Sequence, residues 1–410
     1  MKKIYYKLFG IIIVIILFTN VSTSKPYFDY KDKSFLIKNQ NNSFNENFVD
    51  LYFKLILRFC YLPSISVCVI RDSEILFSKG YGYSDPEIDK EANKETIYLV
   101  MSISKPIAAT ALMQLYEKGY FKLDDDVNDW LPFSLRNPNY PDEPITIRML
   151  LSHQSSLAPD EEGVMLEYLS KTQFIGDPDL STYPYPWLKD YLTPDGSYYT
   201  PHVWMDETPG TNFHYANVGY GLIGYLVELI SGEDFNEYCK DNIFEPLQMY
   251  NTSFLYEDLN NSNISIPYKT VKKKFIPPLK RLPLYSFLFT PCCNLKTSVT
   301  DLSHFVMAHM NGGTWDNVTI LNQTTVDLMH TNQYEKNNGE KYGLGFMIFK
   351  DKYGKKLYGH DGGGPGVHTR MVICPSDNTS FIYFSSAWPW RLTILIPLIQ
   401  NFLLRKAKNL

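Results

Sequence analysis

The stretch Tyr98–Phe121, YLVMSISKPIAATALMQLYEKGYF, places a serine and a lysine at the start of an apolar helical pattern. Pro106 indicates where this helix begins, because proline is tolerated in the first turn of a helix but disrupts its interior. Ser102 is therefore predicted near the helix N-terminus, with unpaired backbone amides beside it. Lys105 follows one turn later on the same face of the helix.

This pair has two interpretations. A serine at a helix start is often only an N-cap, and a lysine one turn further on is often a solvated surface residue. As a catalytic pair, Ser102 would attack a carbonyl carbon, Lys105 would take up its proton, and the helix N-terminus would stabilise the developing negative charge. Catalysis would also require partial burial of Lys105, which lowers the pKa of a lysine toward the working pH.

Two later segments favour the catalytic interpretation. Residues 209–228, PGTNFHYANVGYGLIGYLVE, contain Tyr215-Ala-Asn217, and residues 358–371, YGHDGGGPGVHTRM, contain His360-Asp361-Gly362 before a predicted strand. In this order, the three segments resemble the motifs of the serine β-lactamase-related superfamily, nearest the class C β-lactamases, DD-peptidases and related esterases. The resemblance runs from about Leu62 to about Ala387 and includes the segments ITIRMLLSHQSSL and YGLGF.

The resemblance implies a role for each residue of the first two motifs. Ser102 is the implied nucleophile and Lys105 its activating neighbour. Tyr215 acts in relatives as general base and then donates a proton to the leaving group, which requires cations that hold its pKa down. Asn217 is expected to position Lys105 and the carbonyl side of the substrate.

The third motif implies the oxyanion hole. His360 occupies the position where many relatives have a lysine, a variant also found in some peptidases and esterases of the superfamily. The backbone amides of Ser102 and Gly363 are expected to bind the oxyanion, with Gly362 and Gly363 allowing close approach of the backbone.

Departures from the pattern bear on the substrate. A mostly neutral His360 is a weaker anchor for a substrate carboxylate than a lysine, and Asp361 beside it adds a negative charge. Ser156 replaces a glycine common in relatives, which we expect to change a turn rather than catalysis. The sequence therefore favours ester or amide hydrolysis over true β-lactamase activity.

The arrangement of predicted elements gives the fold class. The pattern predicts a helix over Asn45–Leu62, two strands around the Arg71-Asp72-Ser73 turn, and later strands over Thr369–Ile373 and Phe381–Phe384. A C-terminal apolar helix, Leu392–Leu404, is expected to be interrupted by Pro397.

Strands at both ends of the chain with helices between them predict an α+β protein, an α/β sandwich whose antiparallel sheet is flanked by helices and carries a mostly helical inserted domain. The predicted boundaries are a flexible segment at 25–44, a sheet domain at 45–105 and 290–410, and a helical insertion with long loops at 106–289.

The first residues have the features of a secretory signal. A basic MKKIYYK segment precedes the apolar Leu8–Phe18, which is short for a bilayer span, and small residues follow at Ser22–Ser24. Residues 1–24 are predicted to be a cleaved signal peptide, with an uncleaved single-pass membrane anchor as the alternative. Seven glycosylation sequons beyond this segment agree with a secreted or secretory-lumen glycoprotein; they begin at Asn41, Asn251, Asn260, Asn263, Asn317, Asn322 and Asn378.

Composition argues against several classes of protein. The net charge of −5 gives no footprint for nucleic acid. The six cysteines form no Cys-x-x-Cys pair, so neither a metal site nor a cofactor is predicted. One or two disulfides are possible, although Cys68 and Cys374 lie in strand-like runs typical of buried thiols. The aromatic-rich stretch 158–210 forms either a substrate pocket or a minor core; its members are Tyr183, Tyr185, Trp187, Tyr198, Tyr199 and Trp204.

These observations predict a secreted serine hydrolase that acts through an acyl-enzyme on an ester, amide or peptide, with a small molecule or peptide as its only predicted partner. The alternative is a catalytically idle scaffold or binding protein with the same fold. The complete set of Ser102, Lys105, Tyr215 and Asn217 favours the enzyme. A third hypothesis, a membrane-anchored interaction protein, makes no use of the motifs.

Overall fold

A computed structural model describes residues 46–159, 174–175, 187–270, 279–287, 289–335 and 341–408. The predicted signal segment 1–24, the predicted flexible segment 25–44, and Tyr183 and Tyr185 lie outside the described residues. Among the described residues, no helix is both long enough and apolar enough to cross a membrane.

The described strands are mostly short, and the long ones lie near the two ends of the chain. In chain order they are β1 (Ser64–Arg71), β2 (Glu74–Asp85), β3 (Lys90–Glu91), β4 (Tyr98–Leu99), β5 (Phe174–Ile175), β6 (Tyr268–Thr270), β7 (Leu279–Arg281), β8 (Tyr285–Ser286), β9 (Lys296–Thr297), β10 (Thr314–Trp315), β11 (Val318–Thr319), β12 (Tyr334–Glu335), β13 (Lys341–Tyr342), β14 (Met347–Lys350), β15 (Lys356–Gly364), β16 (Val367–Cys374) and β17 (Thr379–Ser385).

The described helices lie mainly between the two groups of strands. They are α1 (Glu46–Cys60), α2 (Ser104–Glu117), α3 (Ile147–Leu151), α4 (Trp187–Leu192), α5 (Asn217–Ser231), α6 (Phe235–Cys239), α7 (Thr290–Cys293), α8 (Val299–Met310), α9 (Gln323–Met329) and α10 (Trp390–Lys408).

Within the described residues, nine strands form one antiparallel sheet in the order β12-β13-β14-β15-β16-β17-β1-β2-β3. The first strand of the chain pairs with the last, with Val67 opposite Tyr383. The two ends of the chain therefore build one sheet. The predicted fold class, an antiparallel sheet with flanking helices, is confirmed.

Both faces of this sheet are covered. Val67 and Val69 of β1 pack with α1 and α10, whereas Cys68 and Ile70 belong to the larger core on the other face. Successive side chains of a strand point to opposite faces, so a strand between two cores must be apolar on both. This explains the unbroken SISVCVI run, in which every residue is buried.

Two sequence predictions about elements are wrong. The C-terminal helix is not interrupted at Pro397 but continues from Trp390 to Lys408. Its apolar side, which includes Ile396 and Ile399, is almost completely buried against the sheet, and this packing offsets the loss of one backbone hydrogen bond at the proline. The His360 motif was predicted before a strand but lies inside one, β15.

Three elements meet where the first motif begins. A 3-10 turn over Met101–Ile103 leads into α2, and it packs against β15 and α7. Helix α5, which begins at Asn217, packs along α2. The ends of these elements therefore place the three motifs around one point.

Candidate active site

Lys105 lies at the centre of the site and has no exposed surface. Its Nζ donates hydrogen bonds to Ser102 Oγ at 3.0 Å, Asn217 Oδ1 at 2.6 Å and the carbonyl oxygen of Cys292 at 3.1 Å. An ammonium group has only N–H donors and no acceptor, so a surrounding of oxygen atoms suits it.

The surroundings keep Lys105 charged. Burial lowers the pKa of Lys105, but the neighbouring Tyr215 and Cys292 raise it by more, and the pKa lies above the ordinary value for lysine. Burial therefore acts in the expected direction, but the neighbouring groups outweigh it, and the pKa of Lys105 does not fall toward the working pH. In the resting site Lys105 is a cation that donates to Ser102.

Tyr215 is half-buried beside this cation. Lys105 Nζ is 4.7 Å from the centroid of the Tyr215 ring, and the hydroxyl group is hydrogen-bonded to Lys105 and Ser102. Burial raises the pKa of Tyr215, while Lys105 and Ser102 offset part of this rise. Lys105 lowers the pKa of Tyr215, as predicted, but burial raises this pKa by more. The resting pair is thus an ammonium and a neutral phenol.

His153 holds the loop that carries Tyr215. Its carbonyl oxygen accepts a hydrogen bond from His214 N at 2.8 Å, and its Nδ1 accepts one from Ala216 N at 3.2 Å. The centroids of the His153 and Tyr215 rings are 4.3 Å apart. The ITIRMLLSHQSSL segment therefore contributes to the site by positioning Tyr215.

Ser156 closes the same segment. Its φ of 57° lies in the left-handed region, which favours glycine, the residue common at this position in relatives. Ser156 Oγ also accepts a hydrogen bond from Asn137 Nδ2 at 3.0 Å. As expected from the sequence, the substitution affects a turn.

The backbone is strained next to the candidate nucleophile. Met101 has a φ of 54°, an uncommon conformation for a residue with a side chain. Ser104 stabilises this turn: its Oγ donates to the carbonyl oxygen of Met101 at 2.6 Å and accepts from Leu295 N at 3.0 Å. Strain of this kind persists only where surrounding contacts fix it, and it is concentrated at functional sites.

Glycines allow β15 to pass directly beside the Ser102 segment. A Cβ at Gly362 would lie 2.1 Å from the carbonyl oxygen of Val100, and a Cβ at Gly364 would lie 2.3 Å from Met101 Cε. Thr369 Oγ1 strengthens this junction by donating to the carbonyl oxygen of Val100 at 2.9 Å. Gly363, the predicted oxyanion-hole residue, lies between the two contact points.

His360, a residue of β15, is buried, with only 1% of its surface exposed. Its Nδ1 lies 2.7 Å from the carbonyl oxygen of Asp361, so Nδ1 carries the proton and Nε2 accepts from the Tyr342 hydroxyl at 3.1 Å. Burial and the charge of Lys105 lower the pKa of His360 to about 3. The histidine is neutral, as predicted, and it presents no charge to a substrate.

Asp361 does not add a net charge to the site. Its two carboxylate oxygens accept hydrogen bonds from Arg370 Nε and Nη2, both at 2.6 Å. Arg370 is held in turn by Gln400 of α10, whose Oε1 accepts from Nη1 at 3.1 Å. This ion pair corrects the expectation of an uncompensated negative charge next to His360.

A cavity of about 360 Å³ adjoins Tyr215 and the Asp361–Arg370 ion pair. Its wall is mainly aromatic and aliphatic; it is formed by Phe213, Tyr215, Lys341, Tyr342, Met347, Ile348, Phe349, Asp361 and Arg370. An apolar cavity with a few polar groups is typical of a small-molecule binding site.

Three participants in this geometry were not identified as site residues from the sequence. Tyr342 and His153 lie in segments already noted for their resemblance to the superfamily, YGLGF and ITIRMLLSHQSSL, which was an available signal. Cys292 contributes a backbone carbonyl, for which the amino-acid sequence provides no signal.

The buried part of the aromatic stretch belongs to the larger core and not to a separate minor core. Trp187 and Trp204 are buried, and the Trp187 ring lies 5.0 Å from that of Tyr191 and 4.6 Å from that of Phe289. Tyr198, by contrast, is 44% exposed.

All six cysteines lie within the described residues, and they are free and buried, including Cys68 and Cys374, which were predicted as buried thiols. Across the described residues, no three His, Cys, Asp or Glu side chains are grouped so as to hold a metal ion.

The fold and the arrangement of motifs are those of a known family. Residues 60–400 match the family model described as Beta-lactamase. Since this match covers most of the chain, the protein belongs to the β-lactamase family.

Comparisons with individual proteins agree with this assignment. The protein flp of Staphylococcus aureus strain MW2 is 26% identical over 254 residues, which cover 61% of this chain. The chain spans 46% of the length of that relative, less than half.

Two solved structures share the fold. An octameric penicillin-binding protein homologue from Pyrococcus abyssi superposes with a TM-score of 0.69 and 23% identity, over 87% of this chain and 78% of that one. A D-amino acid amidase from Ochrobactrum anthropi SV3 superposes with a TM-score of 0.70 and 19% identity, over 89% and 98% of the two chains.

Proposed function

We propose that this protein is a secreted serine hydrolase that cleaves an ester, amide or peptide through an acyl-enzyme on Ser102. The observation that carries the proposal is the contact of Lys105 Nζ with Ser102 Oγ at 3.0 Å and Asn217 Oδ1 at 2.6 Å, with the Tyr215 hydroxyl bonded to both Lys105 and Ser102. A nucleophile and its proton acceptor within hydrogen-bond distance define this kind of site.

Acylation requires the Lys105–Tyr215 pair to lose one proton, which leaves a phenolate beside an ammonium. Ser102 Oγ then bonds to the substrate carbonyl carbon while its proton passes to the Tyr215 oxygen. The carbonyl electrons move to the oxygen, where the amides of Ser102 and Gly363 stabilise the negative charge. When the tetrahedral intermediate collapses, Tyr215 gives the proton to the leaving oxygen or nitrogen.

Deacylation repeats these steps with water as the nucleophile. Tyr215 takes a proton from water, the hydroxide oxygen bonds to the acyl carbon, and the bond to Ser102 Oγ breaks as Tyr215 returns the proton to the serine. Lys105 remains an ammonium throughout and stabilises the charge on whichever oxygen carries it.

The site favours substrates without a carboxylate next to the scissile bond. His360 is neutral, and Arg370 is already paired with Asp361, so neither offers a free cation to such a carboxylate. The apolar cavity beside Tyr215 fits an uncharged leaving group. The amidase with the same fold supports amides as one substrate class.

A serine-reactive probe tests the proposal. A fluorophosphonate should label the wild-type protein, and mapping of the modified peptide should identify Ser102. Ser102→Ala should abolish labelling and lower ester hydrolysis by about 10³-fold or more. Ser197→Ala is the control, because Ser197 is an exposed serine that belongs to none of the three motifs. A folded protein with no labelling and no hydrolysis would instead support the idle scaffold.

Secretion is part of the proposal and has its own test. The basis is the basic and apolar N-terminal segment and the sequons, of which Asn260, Asn317, Asn322 and Asn378 are exposed. The mature protein should begin between about Ser22 and Pro26, and glycosidase treatment should increase its electrophoretic mobility. Unchanged mobility would argue against export through the secretory pathway.

A further inference from the structure

Two adjacent cysteines lie at the end of α7, next to the candidate active site. Cys292 Sγ donates a hydrogen bond to Cys293 Sγ at 3.0 Å, so the two sulfur atoms are already in contact. Both cysteines are free. A disulfide bond is about 2.05 Å long, and the sulfur atoms would therefore have to approach each other by only about 1 Å more. The pair is a dithiol that oxidation can close into a disulfide.

The peptide unit between these two cysteines belongs to the site. Its carbonyl oxygen, that of Cys292, accepts a hydrogen bond from Lys105 Nζ at 3.1 Å. A disulfide between neighbouring residues closes a small ring that contains this whole peptide unit. Formation of the disulfide therefore acts directly on a group that Lys105 contacts.

Closure of the ring would turn this peptide unit. Neighbouring Cα atoms lie about 3.8 Å apart across a trans peptide bond, whereas the Cα atoms of ordinary disulfides lie about 4.4–6.8 Å apart. Rotation and distortion of the peptide unit have to make up the difference, and the Cys292 carbonyl then points away from Lys105. Lys105 loses one of its oxygen acceptors. Strained disulfides are also the more easily reduced ones, so the change is reversible.

Exposure indicates which sulfur reacts first and with which kind of oxidant. Cys293 is 6% exposed and Cys292 only 1%, so the pair is accessible to a small oxidant such as hydrogen peroxide and Cys293 is the first to react. Both cysteines interact electrostatically with Lys105. A neighbouring cation stabilises the negative charge on a cysteine sulfur that attacks a peroxide.

We propose that Cys292 and Cys293 are an oxidative modification site, which a peroxide converts to a reversible disulfide that switches the hydrolase off. The Cys293 sulfur attacks one peroxide oxygen, the O–O bond breaks, and water leaves as a sulfenic acid forms. The Cys292 sulfur then bonds to this sulfur, the S–O bond breaks, and a second water leaves. The two thiols lose two electrons and two protons, and the peroxide is reduced to water. This inference rests on the proposed function, because the activity that it regulates is that of Ser102.

Peptide mapping tests the modification. Trypsin cleavage after Arg281 and Lys296 releases a peptide, residues 282–296, whose only cysteines are Cys292 and Cys293. The folded full chain should be treated with hydrogen peroxide, unfolded in iodoacetamide and digested. This peptide should then carry no alkyl group and be lighter than its dithiol form by two hydrogen atoms. Dithiothreitol added before unfolding should restore two alkylated cysteines.

Ester hydrolysis tests the switch. Peroxide should lower kcat/KM of the wild type about tenfold or more, because Lys105 is displaced from its working position, and dithiothreitol should restore it. Cys293→Ser keeps a donor for the Phe289 carbonyl oxygen, which Cys293 Sγ contacts at 3.7 Å. This variant should hydrolyse the ester within about twofold of the untreated wild type and should resist peroxide.

Cys374→Ser is the matched control. Cys374 is also buried, but it belongs to the core on the other face of the sheet, so this variant should stay sensitive to peroxide. Thermal unfolding should confirm that each variant is folded, and Cys293→Ala replaces Cys293→Ser if the serine prevents folding.

Thiols that remain at both positions after peroxide treatment would overturn the inference. A disulfide in the 282–296 peptide with unchanged kcat/KM would also overturn it. Equal inhibition of the wild type and folded Cys293→Ser would do the same, since the sensitive group would then lie elsewhere. If hydrolysis by the untreated protein does not depend on Ser102, the proposed function fails and the inference with it. The two failures are distinguishable, because Ser102→Ala is assayed without oxidant.

Discussion

Lys105 is a buried cation whose three hydrogen-bond acceptors are a hydroxyl, an amide and a backbone carbonyl oxygen. Removing an ammonium group from water costs several kcal/mol, so the groups around a buried lysine have to compensate for that loss. A lysine in such a position is better explained by catalysis than by stability.

This geometry predicts that arginine cannot replace Lys105. The three acceptors converge on a single nitrogen, whereas a guanidinium spreads its donors over a planar fork. We expect Lys105→Arg and Lys105→Met to lower kcat/KM by about 10³-fold, close to the effect of Ser102→Ala. Lys105→Met nearly preserves side-chain volume and serves as the folding control. Near-wild-type turnover in Lys105→Arg would show that a positive charge alone is sufficient.

The protonation state of the Lys105–Tyr215 pair predicts the dependence of rate on pH. The pKa values of both groups lie above their ordinary values, and the proposed acylation uses the form that has lost one proton. Log kcat/KM should therefore rise by about one for each pH unit from pH 6 to about pH 9. Steady-state kinetics with a neutral ester would measure this slope, and a plateau beginning below pH 7 would contradict it.

The Asp361–Arg370 ion pair predicts a change in substrate preference. Asp361→Asn keeps the shape of the side chain but leaves Arg370 without its carboxylate partner beside the cavity. We expect kcat/KM for an ester with a carboxylate in its leaving group to rise about fivefold relative to a neutral ester. Asp142→Asn, at an exposed position, controls for net charge. Equal changes for both esters would place Arg370 outside the substrate site.

At this scale, the sequence predicted which residues meet but not their charges. Ser102, Lys105, Tyr215 and Asn217 are recognisable because their motifs combine particular side chains at fixed spacing. The high pKa of Lys105 depends on Tyr215, which precedes α5, and on Cys292 of α7, which only the tertiary fold brings beside it. The Asp361–Arg370 pair likewise depends on strand register, since these residues are direct partners in the β15–β16 ladder.

At the scale of elements, the junction of α5 and α7 controls the position of the Cys292 carbonyl. A Cβ at Gly224 of α5 would lie 2.1 Å from Pro291 Cγ and 2.9 Å from Pro291 Cβ. Helix α7 therefore packs directly on this glycine, and its next residue accepts a hydrogen bond from Lys105. Helix packing and the charge of the site are linked through this contact.

We expect Gly224→Ala to destabilise the protein by about 1–3 kcal/mol, because the new methyl group must displace Pro291. It should also lower kcat/KM, since a shift of α7 moves the Cys292 carbonyl away from Lys105. Urea denaturation and ester hydrolysis would measure the two effects.

Gly219→Ala in the same helix is the matched control, because its Cβ would meet no atom closer than 3.9 Å. Replacing a helical glycine without a clash should stabilise the protein by roughly 0.5–1 kcal/mol. Similar destabilisation in both variants would show that the contact with Pro291 is not the reason why position 224 requires glycine.

Sequence periodicity predicted the elements that pack by one regular face. Helix α1 lies where the pattern indicated because its apolar residues repeat with the helical period, whereas β1 was recognisable as a short unbroken apolar run next to a turn. Pro397 misled the prediction because burial of the apolar face of α10 outweighs the local penalty of the proline. The glycines of β15 concealed a strand, since they were placed by close approach to the Ser102 turn and not by strand propensity.

At the scale of the whole molecule, the sheet joins the two ends of the chain and holds the site between distant segments. Strand β1 lies between β2 and β17, so the central pairing links residues more than three hundred positions apart. Neither the pairing partner nor the register of β1 was available from local patterns, because both depend on contacts of high sequence separation. The global stability of the sheet and the integrity of the site are therefore coupled.

Buried histidines predict that this stability declines in mild acid. Burial lowers the pKa of His309 and His360 to about 3 and that of His368 to about 4. Each group titrates near 6.5 in the unfolded chain, so below that pH the unfolded state binds more protons than the folded state. The contribution of these neutral histidines to the free energy of unfolding is present in full above pH 6.5. It is lost as the pH falls toward 4, and the loss at pH 5 is roughly 2 kcal/mol per histidine.

Glu228 opposes this trend, because burial raises the pKa of its carboxyl group to about 7, so the folded state takes up a proton first as the pH falls. Several histidines outweigh one carboxyl group, and we expect the free energy of unfolding in urea to be smaller at pH 5 than at pH 7.5. Glu228→Gln should make the decline steeper by removing the opposing group. Stability that is constant or rises between pH 7.5 and pH 5 would contradict the prediction and would mean that these histidines are already protonated in the folded protein.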